Sequence, residues 1–502
     1  MADKCVLAID AGSGGGRAII IDLQGNLLSS ACQGWTYYVP DDAGPMGKEF
    51  DPREFWGIIS ELVREAIQKA AVEPVDIIAV SAASQREGVV FVDKEGQELF
   101  AGPNVDVRAI IEGFAIDGEH GDEVYRITGH TPSLLFTPAK LKWFQANRPE
   151  VYERIDTVLS IGDWIIHKLS GERVGEVSCA SDLGLVDICA VEWSRDLMER
   201  LDLPLGICPV IATAGTSVGT VTAAAAEQTG LSPGTMVVVG GADTQCGLLG
   251  MGVKDDSQVG IVAGWSAVLQ MVTAEPVMDP NGKIWTTCHA LPGKWILESN
   301  AQETGGAYNW LRGILFGESG PDQDVYNMMD DLARSLPPGA EGVLACIGPT
   351  WMDMKRLKVS VGGFLFPITP TVTSVEKRHL VRAAMENICF AFKANHAQLE
   401  TVSGQTIRDV SLGGGLAQSG VLTQMLSDVL GMPVSSYGVH HVTSWGTAMC
   451  AAVGSGAYTD FESAIATMRP ASRRVEPNAE TVQEYVGCYE KWLSTARWLD
   501  EM

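Results

Sequence analysis

The sequence predicts an α/β fold made of two related halves. At 502 residues the chain is too long for one hydrophobic core and predicts two domains of about 250 residues each. Short apolar runs that end in glycine alternate with segments of helical periodicity, which is typical of α/β layers. The chain opens with a strand, a glycine, a hydroxyl residue and a second strand, and the same order of elements returns at residues 258–272. We therefore expect domains at residues 1–248 and 249–502.

The opening hairpin is the clearest local signal. Its first apolar run ends in Asp10, a glycine-rich turn carries Ser13, and Arg17 begins the second run. Glycines let backbone N–H groups approach an anion closely, and Asp10 could hold a metal ion beside it. The stretch predicts a phosphate-binding hairpin, with an ordinary glycine-rich β-turn as the alternative.

The first half continues with a strand at residues 33–38, a helix and a buried strand at residues 76–81. Asp51 is the predicted N-cap of that helix, because Pro52 and Glu54 follow it. A Gln-Arg-Glu cluster, residues 85–87, follows the buried strand, where α/β sheets place ligands. Arginine and glutamate together can donate to and accept from hydroxyl groups, as polyol recognition requires. A surface ion pair is the alternative.

At the end of the first half, residues 235–245 form a strand that ends in glycines and Asp243. A helix is expected at residues 298–315, and a capping box at 373–376 predicts a long helix to about residue 401. The strand at 409–412 runs into three glycines and a helix, which is a phosphate-facing turn. The final amphipathic helix, residues 481–502, is expected to pack back across the first domain.

Composition excludes several classes of protein. The net charge of −26 argues against nucleic acid or an anionic membrane as a partner. Eleven cysteines without a Cys-x-x-Cys pair indicate reduced thiols rather than a disulfide framework. No apolar run reaches the ~18 residues of a spanning helix, and the chain enters a strand at once without a signal peptide. We therefore expect a cytoplasmic protein.

Two standard nucleotide motifs are absent. No Gly-Lys pair is followed by Ser or Thr, so there is no Walker A loop. Neither glycine cluster fits G-x-G-x-x-G, because Arg17 and Gln418 stand where the last glycine belongs. The remaining hairpins, carboxylates and triple glycine suit a nucleotide clamp between two halves. A carboxylate without a lysine nucleophile suits deprotonation of a substrate hydroxyl.

Five segments together resemble the FGGY carbohydrate kinases. They are residues 10–17, 240–243, 380–386, 413–415 and 446–454, in the order seen in that family. The resemblance implies two actin-like (ribonuclease-H-like) domains with an interdomain cleft. It also implies phosphorylation of a sugar or polyol hydroxyl that depends on ATP and Mg²⁺.

The resemblance also assigns roles to residues. Asp243 is similar to the catalytic base, and Asp10 and Asp243 match the metal-associated carboxylates. The substrate-binding positions would be Arg86, Glu87, Asp106, Asp243 and Thr244. The nucleotide-binding positions would be Ser13, Gly14, Arg17, Gly264, Trp265, Ser266, Gly305, Asn309, Gly414, Gly415 and Ser419.

Within the family the pattern is most similar to that of the autoinducer-2 kinases, and Arg86-Glu87 matches glycerol kinases, whereas xylulose kinases usually carry Met-His. Two departures affect the phosphate loops. Ser13 and Gly15 stand where Thr and Ser are usual, and Trp265 stands where a Thr normally meets phosphate. Either Ser266 replaces that hydroxyl or ATP binds more weakly.

The sequence therefore predicts a cytoplasmic ATP-dependent kinase for a small linear hydroxy ketone or polyol, with an autoinducer-2-like substrate favoured. Xylulose, ribulose, glycerol and erythritol are the alternative substrates. The alternative class is a non-catalytic, sugar-responsive regulator, which Trp265 favours. No nucleic acid or membrane partner is expected, and a homodimer is left open.

Overall fold

A computed structural model describes residues 4–317, 322–356, 361–368 and 374–502. The strands are β1 Cys5–Ala11, β2 Gly15–Asp22, β3 Leu27–Gly34, β4 Ile77–Ser84, β5 Val89–Val92, β6 Glu98–Gly102, β7 Thr157–Ser160, β8 Val174–Glu176, β9 Val186–Asp187, β10 Glu192–Trp193, β11 Val210–Ala212, β12 Ser217–Thr220, β13 Met236–Ala242, β14 Val259–Ala263, β15 Ala267–Thr273, β16 Trp285–Cys288, β17 Trp295–Asn300, β18 Leu344–Cys346, β19 Gly363–Leu365, β20 Val410–Gly414, β21 Val434–Ser436 and β22 Arg473–Val475.

The helices are α1 Pro52–Ala70, α2 Ile110–Thr128, α3 Thr137–Asn147, α4 Pro149–Tyr152, α5 Ile161–Ser170, α6 Val177–Asp182, α7 Arg195–Arg200, α8 Ala223–Thr229, α9 Asp243–Met251, α10 Thr304–Phe316, α11 Asp322–Arg334, α12 Lys377–Ser403, α13 Gly420–Leu430, α14 Val442–Gly454, α15 Phe461–Met468 and α16 Ala479–Glu501. Asp51 caps α1 as predicted, because its side chain accepts from the backbone N–H groups of Arg53 and Glu54. No helix within the described ranges is long and apolar enough to cross a membrane.

The first half is organised on a six-stranded sheet in the order β12-β13-β4-β1-β2-β3. The apolar strand β1 is buried along its whole length, pairs antiparallel with β2 and runs parallel to β4. Strand β13 runs parallel to β4 on its other side. Asp10 is in register with Ala83, and Ala242 with Ser84. The carboxyl ends of β1 and β13 therefore flank the end of β4.

The second half repeats this plan. Its seven-stranded sheet has the order β16-β17-β15-β14-β20-β21-β22. Strands β14 and β15 form an antiparallel hairpin, and β14 runs parallel to β20 with Ala263 in register with Gly414. Each half thus places a glycine hairpin beside the end of a parallel strand, which confirms the predicted α/β architecture.

Helix α14 joins the two halves. It belongs to the second half by sequence, but it packs against α9 and against β1, β4 and β13 of the first sheet. A Cβ atom at Gly446 would lie 1.8 Å from the carbonyl oxygen of Cys246, so only glycine permits this approach. Helix α14 therefore holds α9, whose first residue is Asp243, close to the first sheet.

The last helix differs from the expectation that it packs back on the first domain. Helix α16 packs on α12 and α13 of the second half, and Tyr485 and Trp492 are buried in the core there. Arg382 donates to the Tyr485 hydroxyl at 2.6 Å, and the Trp492 indole donates to the carbonyl of Ala345 at 3.1 Å. These contacts bury the aromatic face of α16 in the second half. Helix α14, rather than α16, covers the first sheet.

Three other elements differ from the sequence prediction. The third strand covers residues 27–34 rather than 33–38, because these residues pair with β2. Residues 298–300 belong to β17, which β15 and β16 hold on both sides, so α10 begins only at Thr304. Thr373 of the predicted capping box lies outside the described residues, and Glu376 caps α12 reciprocally with His379.

Candidate active site

Two carboxylates lie at the end of the first sheet. Asp10 lies near the end of β1, where Arg17 Nη1 and the Ser444 hydroxyl each approach its Oδ2 at 3.4 Å. Burial raises the pKa of Asp10, an effect that Arg17 and Ser444 partly offset. Ser444 lies in the first turn of α14, so a residue of the second half contacts this carboxylate.

Asp243 is the first residue of α9. The backbone N–H of Thr244 donates to its Oδ1 at 2.8 Å. Burial raises the pKa of Asp243 to about 8; Arg86 opposes the shift, and the charges of Asp10 and Glu87 add to it. A carboxylate with this pKa holds a proton tightly enough to act as a general base near neutral pH.

The first hairpin is held from three sides. Asn104 donates to the Ser13 hydroxyl at 2.9 Å, and the Tyr37 hydroxyl donates to the Ser13 carbonyl at 2.6 Å. Gln85 donates to the carbonyl of Gly12 at 3.3 Å. Gly14 is exposed at the tip. Three side chains thus hold the turn in place, and its tip is open to solvent.

The second hairpin exposes its whole tip, from Gly264 through Trp265 to Ser266. Its contacts are mainly between backbone groups: Gly264 donates to the carbonyl of Ser266 at 2.9 Å, and Gly306 donates to that of Trp265 at 2.9 Å. A Cβ atom at Gly305 would lie 2.2 Å from the Gly264 carbonyl oxygen. The start of α10 can therefore approach the hairpin only because residue 305 is glycine.

A cavity of about 430 Å³ opens beside this second hairpin. Predicted nucleotide-binding residues contribute to its lining: Gly264, Trp265, Gly305, Asn309, Gly415 and Ser419. Tyr308 and Tyr326 stack with ring centroids 6.0 Å apart, and the Tyr326 hydroxyl donates to Asn309 Oδ1 at 3.1 Å. Ser419 donates to Asp330 at 2.7 Å. A cavity with aromatic side chains, polar groups and a single carboxylate among its described lining residues suits a nucleoside.

Gly414 does not line that cavity but lies beside it. Its φ is +93°, and a Cβ atom there would lie 2.4 Å from the Ala263 carbonyl oxygen. Glycine at this position lets the end of β20 stay against the second hairpin.

Arg86 crosses between the halves of the molecule. Its Nη1 and Nη2 donate to the two carboxylate oxygens of Glu298, on β17, at 2.6 and 2.9 Å. Both side chains are buried. Burial acts to lower the pKa of Arg86, but the facing carboxylates, Glu298 first, raise it above its ordinary value. Gln270 joins the same network by donating to Glu298 at 2.7 Å and to Thr244 at 3.0 Å.

Glu87 adjoins this pair in a conformation that non-glycine residues seldom adopt, with φ of +57°. Lys140 fixes its main chain by donating to its carbonyl at 3.2 Å. Burial raises the pKa of Glu87 to about 7, although Arg86 opposes the shift. Such backbone strain is common where a side chain must be aimed at a ligand.

Asp106 lies elsewhere. It is fully buried, and its carboxylate accepts from Arg108 Nε at 2.9 and 3.0 Å and from the Lys48 backbone at 2.9 Å. The structure does not bring it together with Arg86, Glu87 and Asp243. Thr244, in contrast, lies beside Asp243 and donates to Gln245 at 2.7 Å.

The sequence did not identify Glu298 and Gln270 as residues of the site. Gln270 stands among apolar residues in β15, and Glu298 directly follows the apolar run 295–297 in β17, which was the available signal. Their partners lie on other elements, and Glu298 meets Arg86 across 212 residues of chain.

Comparison with known proteins places this chain in a family. Residues 5–250 match the N-terminal domain of the FGGY family of carbohydrate kinases, and residues 259–455 match its C-terminal domain. The chain belongs to this family. It is an ATP-dependent kinase that transfers a phosphoryl group to a hydroxyl of a carbohydrate.

Three known proteins illustrate the similarity. The autoinducer-2 kinase of Salmonella paratyphi B is 34% identical over 501 residues, covering 97% of this chain and 93% of its own. The xylulose kinase of Rhodospirillum rubrum superposes with a TM-score of 0.84 at 25% identity, covering 99% of each chain. The glycerol kinase of Plasmodium falciparum, solved with ADP, has a TM-score of 0.83 at 19% identity and coverage of 98% of each chain.

Proposed function

We propose that this kinase phosphorylates a small linear hydroxy ketone or polyol, with an autoinducer-2-like molecule as the favoured substrate. The observation that carries the proposal is the placement of Arg86 and Glu87 beside Asp243 at the end of the first sheet. The autoinducer-2 kinase that is 34% identical over nearly the whole chain supports the choice of substrate.

In this proposal, Asp243 removes the proton from the attacking hydroxyl. That oxygen bonds to the γ-phosphorus while the bond from phosphorus to the bridging oxygen breaks, and ADP leaves. Arg86 and Glu87 bind other hydroxyls of the substrate, and Thr244 lies close enough to Asp243 to assist. Asp106 acts at a distance, by fixing the loop that carries Asn104.

The two hairpins hold the nucleotide from opposite sides. Ser13, Gly14 and Arg17 are proposed to contact the transferred phosphate, and Gly264 to Ser266 the remaining phosphates. Asn309, Gly415 and Ser419 line the adenosine cavity. Gly414 keeps the turn before Gly415 in place.

We also propose a Mg²⁺ site at Asp10 and Asp243. The fit is supported by electrostatics, because the charge of Asp10 raises the pKa of Asp243, and a cation between them would relieve that repulsion. Among the described residues, no three His, Cys, Asp or Glu side chains are grouped for a metal ion. This suits Mg²⁺, which commonly takes one or two carboxylates together with waters and substrate phosphates. When bound, the ion neutralises charge on the phosphates.

The eleven cysteines are free thiols, which supports the proposal of a reducing, cytoplasmic location. A homodimer and the absence of a nucleic-acid partner stay predictions.

The test is ADP release on a substrate panel. It contains the autoinducer-2 precursor, xylulose, ribulose, erythritol and glycerol at millimolar concentration, with ATP and Mg²⁺. The proposal expects the highest kcat/KM on the autoinducer-2 precursor. Preference for a ketopentose or for glycerol would replace the substrate but keep the kinase. No sugar-dependent ADP would favour a non-catalytic, sugar-responsive regulator, for which the exposed Trp265 in a phosphate hairpin is the motivating observation.

A further inference from the structure

We propose that Asp182 is a specificity-determining residue that accepts a hydrogen bond from a substrate hydroxyl other than the one phosphorylated. The inference rests on the proposed function, because it concerns the same substrate site. Asp182 ends α6 and was not among the residues that the sequence pointed to.

The two oxygens of the Asp182 carboxylate are used differently. Oδ1 accepts from the Thr287 hydroxyl at 2.8 Å and lies 3.4 Å from His130 Nε2. Oδ2 has no hydrogen-bond partner among the described residues, although the side chain is only 1% exposed. Buried polar oxygens are nearly always hydrogen-bonded, so the donor to this one is either a group of the ligand or an ordered water that a ligand hydroxyl can displace.

The orphaned oxygen faces Arg86. Asp182 Oδ2 lies 4.0 Å from Arg86 Nε, and Glu87 Oε1 lies 3.9 Å from the same nitrogen. Both distances are too long for direct hydrogen bonds, and Glu298 already takes the other two guanidinium nitrogens. A hydroxyl placed beside the line between Arg86 Nε and Asp182 Oδ2 can accept from the guanidinium and donate to the carboxylate at the same time.

The neighbours of Asp182 keep this geometry fixed. His130 Nδ1 lies 2.7 Å from the Thr128 carbonyl oxygen, which can only accept, so Nδ1 carries a hydrogen and the ring orientation is set. Thr287 approaches from β16 of the second half. Because the Thr287 hydroxyl holds Oδ1, the carboxylate is oriented in advance and Oδ2 remains available.

The charge of the pocket defines the ligand group. Glu87, Asp182 and Glu298 surround one guanidinium, and Asp243 lies nearby. A carboxylate oxygen can only accept, and a surplus of acidic groups disfavours an anionic ligand. Asp182 therefore selects a hydroxyl donor on an uncharged substrate and disfavours sugar acids and sugar phosphates.

The test replaces Asp182 by asparagine, which keeps the shape and can still accept from Thr287. We expect the KM for the sugar to rise about ten- to hundredfold, the loss expected for a hydrogen bond to a charged group. The values of kcat and of the KM for ATP should stay within about twofold, because the contact is made equally in ground and transition states. A general structural defect would change all three.

Monodeoxy analogues of the best substrate provide the sharper readout. In the wild type, removing the hydroxyl that meets Asp182 should raise the KM, and in Asp182→Asn the same removal should have almost no further effect. Asp279→Asn is the matched control, because Asp279 is a buried carboxylate that accepts from the backbone of Asn281 and Lys283 away from Arg86. In Asp279→Asn, the ratio of the KM for each deoxy analogue to the KM for the full substrate should equal the ratio in the wild type.

If Asp182→Asn does not fold, Asp182→Ser should give the same pattern, because it also removes the buried charge. Equal KM ratios across the analogues in wild type and variant would overturn the inference while leaving the kinase intact. A wild type without sugar-dependent ADP release would instead overturn the proposed function.

Discussion

The two walls of the cleft differ in burial. On the proposed sugar side, Arg86 is 9% exposed and Asp182 1%, whereas on the proposed nucleotide side Trp265 is 64% exposed. Burial strengthens electrostatic interactions and shifts pKa values, so it suits the wall where a proton is removed. An open, aromatic and mostly uncharged wall suits a nucleotide that must enter and leave in every cycle.

The two hairpins show the same contrast. Side chains of Asn104, Tyr37 and Gln85 hold the first hairpin in place. The second is held mainly by backbone hydrogen bonds at Gly264 and Gly306. Similar local sequence patterns therefore produce a loop held by side chains in the first half and a loop held mainly by backbone hydrogen bonds in the second. Substitutions in the two walls should affect different kinetic constants.

The largest effect is expected at the base. Asp243→Asn should lower kcat by about a thousandfold, since general-base catalysis contributes 10²–10⁴-fold, while nucleotide affinity is retained. ADP release and calorimetric titration with a nucleotide measure the two quantities on one preparation. Full turnover in the variant would remove Asp243 from the assigned role.

The bridge between the halves comes next. Glu298→Gln removes the charge of the carboxylate that is hydrogen-bonded to the buried Arg86 guanidinium, so the free energy of unfolding should fall by about 3 kcal/mol and the sugar KM should rise. Urea unfolding measures the first quantity. Glu65→Gln, in an exposed i,i+4 pair with Lys69, is the control and should change stability by less than about 0.5 kcal/mol. Equal stability losses would show that the bridge is not buried in solution.

The pH dependence is a smaller effect. Because the pKa of Asp243 is about 8, the base is protonated below that pH and kcat/KM for the sugar should rise with pH. We expect about a tenfold rise per pH unit on the acid side and a plateau that begins below about pH 8, because the proposed Mg²⁺ at Asp10 and Asp243 would lower this pKa. The free energy of unfolding should fall as the pH rises from the ordinary pKa of 3.8 to about 8. Over this range the folded Asp243 carboxyl keeps a proton that the unfolded chain has lost. A flat rate profile from about pH 6 to 9 would contradict the assignment.

The smallest effect is expected at the exposed hairpin. Trp265→Thr adds a hydroxyl where phosphate is proposed to bind, so the KM for ATP should fall about threefold, the value of one modest hydrogen bond. The sugar KM should not change. Trp310→Thr is the control, since Trp310 is exposed on α10 and does not line the nucleotide cavity. A higher KM for ATP in Trp265→Thr would show that the indole itself contacts the nucleotide.

Local patterns predicted much of this molecule. The two hairpins, the Asp51 cap and the strand that leads into Asp243 are all set by neighbours in the chain. Contacts between distant residues were not predictable, because no local pattern links Arg86 to Glu298 or Asp182 to Thr287. The same limit explains α16, whose amphipathic pattern predicts a buried face but not which half buries it.

The central claim is that this cleft transfers the γ-phosphate of ATP to a sugar hydroxyl. Phosphorus NMR of the wild type with ATP, Mg²⁺ and the preferred sugar tests it most directly. The account predicts a new phosphate-monoester resonance that grows as the γ-phosphate resonance of ATP declines, in equal amounts. Release of inorganic phosphate without a monoester, or an unchanged spectrum with every sugar of the panel, would contradict it.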